Sequence, residues 1–211
     1  TTDTDSVIVS VAPDVAAPSD QLVCGGTTAG PYNFTNIIGS PTFNWTNNNP
    51  AIGLAASGTG NIPAFTAVNN GATPVTAIII VTPTVSNCVG IPDTFIITVN
   101  PRPTVPLATS PVTYCQNTPA AILTATGSGA NTFTWYNNAG LTGGSATAPT
   151  PSTSTAGTTL FYVTQTNTFN CQSAAAIITI NVNPVISGNT IATNQTICAN
   201  TAPNPLTSNT V

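Results

Sequence analysis

Very few residues of this chain could do acid–base or nucleophilic chemistry. It has five Asp and a single Arg, Arg102, and it contains no His, Lys, Glu or Met. General acid–base catalysis needs a pair of groups with pKa values poised around the working pH. Scattered aspartates with no second kind of base do not supply that pair. The composition therefore predicts a protein that is not an enzyme, with no catalytic residues and no cofactor.

The five cysteines are the residues with the clearest chemistry. Three of them, Cys24, Cys115 and Cys198, follow a proline by 11, 14 and 14 residues, whereas Cys88 and Cys171 each precede a proline by 13 residues. A zinc site is not expected, because there is no Cys-x-x-Cys pair and no histidine. Disulfide formation remains, and it favours an extracellular protein.

A strand pattern that ends in proline occurs three times in the sequence. In each copy three apolar residues alternate with others, and the proline stops the strand because it cannot donate to the ladder. The copies are Val7–Pro13, Phe95–Pro101 and Ile178–Pro184. Each is interpreted as the last strand of a repeat. The predicted segments are 1–13 (last strand of a preceding repeat), 14–101 and 102–184 (whole repeats) and 185–211 (start of an incomplete further repeat).

A second repeated phrase indicates the core of each repeat. The sequence TFNWTNNN at 42–49 recurs as TFTWYNNA at 132–139. Residues i and i+2 of a strand share a face, so Phe43 should point with Trp45 into one core, and Phe133 with Trp135 into another. Short β-branched or aromatic runs between Asn, Gly and Pro turns predict an all-β fold, with sandwiches of about seven strands.

Charge excludes two classes of partner. Charged residues form 3% of the chain and the net charge is −4, whereas an ordinary surface is roughly a quarter to a third charged. With one cation there is no basic patch, so neither nucleic acid nor an anionic membrane surface is an expected partner. The longest apolar run, 77–81, is far shorter than the ~20 residues of a membrane span, so no membrane insertion is expected.

Counting cysteines within repeats predicts their partners. The even count pairs Cys24 with Cys88 and Cys115 with Cys171. Each bridge would close a long loop, worth about 2–4 kcal/mol in the chain-entropy model. The rival pairing of Cys88 with Cys115 leaves the outer cysteines unexplained. Cys198 is expected to be unpaired within this chain.

The repeats resemble a known family. The second, with TYCQNTPAAILTATG, TFTWYNN and AAIITINVNP, resembles the Ig-like repeats of large secreted surface proteins of gliding and soil Bacteroidetes. The first, with CGGTT, PTFNWT, NCVG and DTFIITVNP, is similar to the PKD-like repeats of the same proteins. The resemblance implies a type IX-secreted cell-surface adhesin of the SprB gliding-motility type. It also implies tandem Ig-like β-sandwich domains, and strand length and the terminal prolines predict that these domains lie in an end-to-end array.

The expected function is therefore structural. The segment would give reach and surface attachment to a long extracellular adhesin held at the outer membrane. Its partners would be neighbouring repeats of the same chain, with surface polysaccharide or other cell-surface proteins bound by the whole array. The alternative is a carbohydrate-binding or spacer module of a secreted multidomain enzyme. A groove lined by Tyr136 or Tyr32 would favour that alternative. Tyr136 is expected to face away from Trp135, where it would either stack on a sugar ring or be an ordinary exposed tyrosine.

Two further sites are weighed against plain surface roles. Four aspartates cluster around the first junction, where they would either hold a calcium ion or be solvated side chains. They are Asp3, Asp5, Asp14 and Asp20. The second junction has no acid, which favours solvated side chains. The tripeptide Asp5-Ser6-Val7 resembles the O-glycosylation pattern of this bacterial phylum and makes Ser6 a candidate acceptor.

Overall fold

The computed structural model describes residues 12–36, 40–129, 131–186, 195–203 and 205. In these residues the chain forms strands and one short 3-10 helix, Pro50–Ile52. The strands are β1 (Gln21–Cys24), β2 (Thr28–Ala29), β3 (Thr42–Asn47), β4 (Ser57–Thr59), β5 (Phe65–Thr66), β6 (Val75–Val85), β7 (Cys88–Val89), β8 (Asp93–Asn100), β9 (Leu107–Ala108), β10 (Val112–Cys115), β11 (Ala125–Thr126), β12 (Thr132–Tyr136), β13 (Gly157–Thr166) and β14 (Ala176–Asn183).

The chain divides into two compact units. The first comprises Thr1–Leu107, Thr126–Thr134 and Thr164–Ala176, and the second comprises Ala108–Ala125, Trp135–Val163 and Ile177–Val211. This division follows spatial packing, whereas the repeat boundaries at 14–101 and 102–184 follow the sequence. Those boundaries stay a prediction.

The first unit is built on a sheet with the order β1-β8-β6-β3-β4, to which β7 adds beside β6. Buried residues alternate with exposed ones along β6 and β8, so one face of each strand is buried. The buried residues are Ala77, Ile79, Val81, Phe95, Ile97 and Val99. The short pair β2–β5 forms a separate sheet, and the Tyr32 ring packs edge-on against Phe95 at 5.5 Å between centroids.

Trp45 occupies the core of the first unit. It pairs with Val81 on one side and with Gly58 on the other. The indole ring lies over Gly58, where a side chain would collide with it. Trp45 is buried and Phe43 packs half-buried against the same core.

The second unit contains residues of a four-stranded sheet with the order β10-β14-β13-β12. Its buried apolar residues are Leu123, Trp135, Tyr136, Val163, Ile178, Ile180 and Val182. Phe133, two residues before Trp135, is half-buried. The predicted tryptophan positions are thus buried in both repeats.

The first and last strands of each repeat pair in parallel. Strand β1 lies along β8 from Gln21 opposite Ile97 to Cys24 opposite Asn100. Strand β10 lies along β14 in the same way, ending with Cys115 opposite Asn183. In the part of the chain that the structure describes, no helix has the length and apolar character needed to cross a membrane.

Candidate functional site

One disulfide joins Cys24 to Cys171, and both cysteines lie in the first unit. Their Cα atoms are 5.6 Å apart, although 147 residues separate them in sequence. Cys171 is fully buried and Cys24 is half-buried. In the terms of the sequence repeats, the bond connects the first cysteine of 14–101 to the second cysteine of 102–184.

This bond shows that the predicted pairings of Cys24 with Cys88 and of Cys115 with Cys171 are wrong. Cys24 lies beside the last residue of β8, whereas Cys88 precedes the first residue of that strand. Eight residues of strand span ~26 Å, and a disulfide needs Cα atoms within about 7 Å. Cys115 and Cys171 lie at opposite ends of β14 for the same reason.

The turn that carries Cys24 has a specific hydrogen-bond pattern. The amide and hydroxyl of Thr27 both donate to the Cys24 carbonyl, at 3.2 and 2.7 Å. The amide of Gly25 donates to the Asn100 carbonyl at 2.9 Å. Gly26 has a φ of 78°, which the tight turn requires. We call this four-residue element the cysteine turn.

The cysteine turn is repeated at Cys115. Thr118 donates its amide and hydroxyl to the Cys115 carbonyl at 3.2 and 2.6 Å. The Gln116 amide donates to the Asn183 carbonyl at 2.8 Å, and Asn117 has a φ of 67°. Asparagine tolerates this left-handed conformation better than most residues. The two turns therefore place their cysteines equivalently at the ends of β1 and β10.

A third cysteine turn begins at Cys198. Thr201 donates its amide and hydroxyl to the Cys198 carbonyl at 3.2 and 2.7 Å. Asn200 has a φ of 72°. The sequence carries the signal as CGGT, CQNT and CANT. Sequence reasoning missed this Cys-x-x-Thr signature because it considered cysteine spacing alone.

The other half of the disulfide is a hairpin in which asparagine precedes cysteine. Asn170, with a φ of 59°, precedes Cys171. Asn167 fixes this loop, because its Oδ1 accepts the Cys171 amide at 3.0 Å and its Nδ2 donates to the Pro101 carbonyl at 2.8 Å. The Arg102 guanidinium donates to the Gln172 carbonyl at 2.9 Å. The only cation of the chain therefore holds the hairpin beside the cysteine turn.

A matching hairpin carries Cys88. Asn87 precedes it with a φ of 68°, and Cys88 pairs with Val85 across a two-residue loop. Cys88, Cys115 and Cys198 are exposed free thiols. The prediction that Cys198 is unpaired stays a prediction, whereas Cys88 and Cys115, which were expected to be paired, are free thiols in the structure.

A cavity of about 200 Å³ lies in the second unit. It is lined by Trp135, Tyr136, Asn137, Gly143, Ser145, Thr147, Pro149 and Phe161. Tyr136 is buried and lines the same cavity as Trp135, so the prediction that it is an exposed platform is wrong. Tyr32 is also buried in the first unit, and burial raises its pKa, with the Gly30 backbone opposing that shift.

Two aspartates, Asp20 and Asp93, accept hydrogen bonds from the backbone. Asp20 Oδ1 accepts the Ile96 amide at 2.8 Å, beside the start of β1. Asp93 Oδ2 accepts the Ala17 amide at 2.9 Å. Within the described ranges, no group of three or more metal-binding side chains is found. Asp3, Asp5 and Ser6 lie outside the described residues, so the calcium and glycosylation hypotheses there stay predictions.

Comparison with known proteins finds an Ig-like match for part of the chain. Residues 103–184 match a family model described as an Ig-like domain, CHU_C associated. No curated protein matches the chain. Matching structures include fibronectin(III)-like modules of Clostridium thermocellum CbhA, with 15% identity and a TM-score of 0.35 over 81% of this chain and 95% of that chain.

Two animal structures also match. Mouse cadherin-23 EC22-24 has 11% identity and a TM-score of 0.31, covering 82% of this chain and 65% of that chain. The Ig1-2 module of the Drosophila receptor protein tyrosine phosphatase DLAR has 13% identity and a TM-score of 0.28, covering 82% and 100%. Residues 103–184 are thus similar to an Ig-like domain, and the described residues of the chain are all-β apart from one short 3-10 helix.

Proposed function

We propose that this chain is a tension-bearing structural segment of a long extracellular adhesin attached to the cell surface. Its Ig-like units form an end-to-end array that gives reach, and the whole array binds surface polysaccharide or other cell-surface proteins. The Ig-like match of residues 103–184 supports a structural module. The repeat resemblance supports gliding motility, type IX secretion and outer-membrane attachment as its setting. Its near-lack of acid–base groups supports a non-catalytic role.

The parallel pairing of first and last strands carries this proposal. In a parallel pair the chain enters one strand and leaves the other at opposite ends of the ladder. Once the Cys24–Cys171 bond is reduced, tension between the two points slides β1 along β8, and β10 along β14, so that all the ladder bonds are loaded together. A peeling force would instead break them one at a time. While the bond is formed, the disulfide itself carries the tension past residues 25–170. The pairing suits a segment that is pulled from its ends.

Single-molecule pulling tests the proposal in a variant without the disulfide, Cys24→Ser with Cys171→Ser. Handles at Ser19 and Thr104 load β1 against β8 in shear. Handles at Ser19 and Pro92 pull on the same end of both strands and peel them apart. We expect a clearly higher unfolding force for the shear pair of handles. Equal forces for the two pairs would remove the mechanical basis of the proposal.

A carbohydrate-binding module is the second candidate, and the cavity in the second unit is the observation that favours it. Aromatic and hydroxyl-bearing side chains meet there, which is the chemistry that sugars require. A glycan array probed with the intact chain tests this function. Binding that is lost in Phe161→Ala, but kept when the exposed Leu107 of the first unit is changed to Ala, would assign sugar recognition to the cavity.

A further inference from the structure

We infer that Cys115 and Cys88 are the two halves of a second link of the Cys24–Cys171 kind, formed between two copies of this chain. Cys115 of one copy bonds Cys88 of the next, as Cys24 bonds Cys171 within the chain. The partner of the Cys115 turn, and likewise of the Cys88 hairpin, is thus another repeat of the same type. This inference concerns the covalent link alone and stands whether or not the array is an adhesin.

The first support is the equivalence of Cys115 with Cys24. Both end the first strand of a repeat, and both face the asparagine that ends the parallel last strand. Both begin a cysteine turn with the same hydrogen bonds from a threonine amide and hydroxyl. The two turns therefore offer the same backbone geometry to a cysteine on a facing hairpin.

The second support is the equivalence of Cys88 with Cys171. Each follows an asparagine in the left-handed conformation, Asn87 or Asn170. Each precedes the last strand of its repeat and stands 13 residues before the proline that ends it. Cys88 therefore presents its thiol from the same type of loop that presents Cys171 to Cys24.

The third support is apolar surface beside Cys115 and beside Cys88. Around the bonded pair, Asn100 and Pro101 are buried. The corresponding Asn183 and Pro184 are exposed, and the chain continues into Val185 and Ile186, which are 59% and 93% exposed.

The Cys88 hairpin is also open. Val89 and Ile91 beside it are 67% and 72% exposed. Burying these two side chains against Val185 and Ile186 of another copy would be favourable, because apolar area removed from water stabilises a contact. The two open surfaces therefore fit each other in composition as well as in cysteine position.

The link forms by thiol–disulfide exchange with a small-molecule disulfide such as oxidised glutathione. The Cys115 thiolate attacks one glutathione sulfur, forms a mixed disulfide and releases one glutathione thiolate. The Cys88 thiolate of the second copy then attacks the Cys115 sulfur and releases the second glutathione. Two protein thiols are oxidised and one glutathione disulfide is reduced to two thiols.

Two complementary variants test the inference. Cys88→Ser with Cys198→Ser leaves Cys115 as the free thiol, and Cys115→Ser with Cys198→Ser leaves Cys88. The two proteins are mixed in equal amounts in a glutathione redox buffer and quantified on a non-reducing gel, with one carrying a mass tag. Random collision would give as much mixed dimer as the two self-dimers together. We expect a severalfold excess of mixed dimer, with Cys115 bonded to Cys88 in its peptide map.

Controls separate a docked link from general thiol reactivity. Unfolding both variants in urea during exchange should return the products to the random ratio. Ile91→Ser in the Cys88-bearing variant should lower the yield of mixed dimer while circular dichroism shows an intact fold. The single variant Cys198→Ser, which keeps both thiols, should form a ladder of head-to-tail oligomers. A random ratio of mixed to self-dimers in the folded state would overturn the inference.

Discussion

Replacing Gly58 by Ala should destabilise the first unit through a collision with the Trp45 indole. Gly58 is paired directly opposite Trp45 on the neighbouring strand. A Cβ at this position would lie closer than 3.0 Å to three atoms of the indole ring, which real contacts do not show. Trp45 is buried in the core, so the ring can move only by disturbing its neighbours. Overpacking of this kind costs about 1–3 kcal/mol.

That cost should be visible in thermal unfolding. A loss of 1 kcal/mol lowers Tm by roughly 4–8 °C in a domain of 60–100 residues, so we expect a drop on the order of 5–20 °C. Calorimetry combined with tryptophan fluorescence measures it. Gly71→Ala is the matched control, because the nearest atom to its Cβ is the Asn69 side-chain oxygen at 3.3 Å. The ordinary effect of a surface substitution on the free energy of unfolding is within about 0.5 kcal/mol. If the unfolding free energies of the two variants differ by less than this, the placement of Trp45 over Gly58 is wrong.

Two further predictions concern length and pH. Reducing the disulfide should release ~500 Å of extra contour length in single-molecule stretching, because 147 residues are bridged and each extends by ~3.5 Å; no gain on reduction would contradict the bridge. Because burial raises the pKa of Tyr32 above its usual 10.0, the folded chain holds this proton more tightly than the unfolded chain does. The contribution of Tyr32 to stability is therefore constant well below pH 10 and is lost as the pH rises from near 10 through the raised pKa of the folded chain. Denaturant titrations should lose this dependence in Tyr32→Phe.

The alternation of apolar residues was enough to predict the strands and the core. In β6 and β8 every second residue is apolar and points inward, because strand geometry fixes the face of each side chain. The tryptophan phrase was equally informative, since Trp45 and Trp135 are both buried. These features depend on local periodicity, which a sequence displays directly.

The disulfide could not be predicted in the same way. Counting cysteines within a repeat assumes that the two cysteines of one repeat lie close together. In the structure Cys24 lies at the end of β8 and Cys88 precedes its start, so the full length of the strand separates them. Which hairpin reaches a cysteine turn depends on the path of residues 101–104 and on the Asn167 and Arg102 contacts. The prediction that Tyr136 is exposed was wrong for a related reason, because packing buries Tyr136 as well as Trp135.

The connectivity of the cysteines is the central claim, and one digest tests it directly. The unreduced monomer, separated from disulfide-linked oligomers, is denatured, alkylated and cut with an endoproteinase that cleaves before aspartate, which separates residues 20–92 from 93–211. We predict that these two fragments stay joined until reduction, through Cys24 and Cys171, with the alkyl label on Cys88, Cys115 and Cys198. Release of 20–92 before reduction, with Cys24 bonded to Cys88 inside it, would contradict the account.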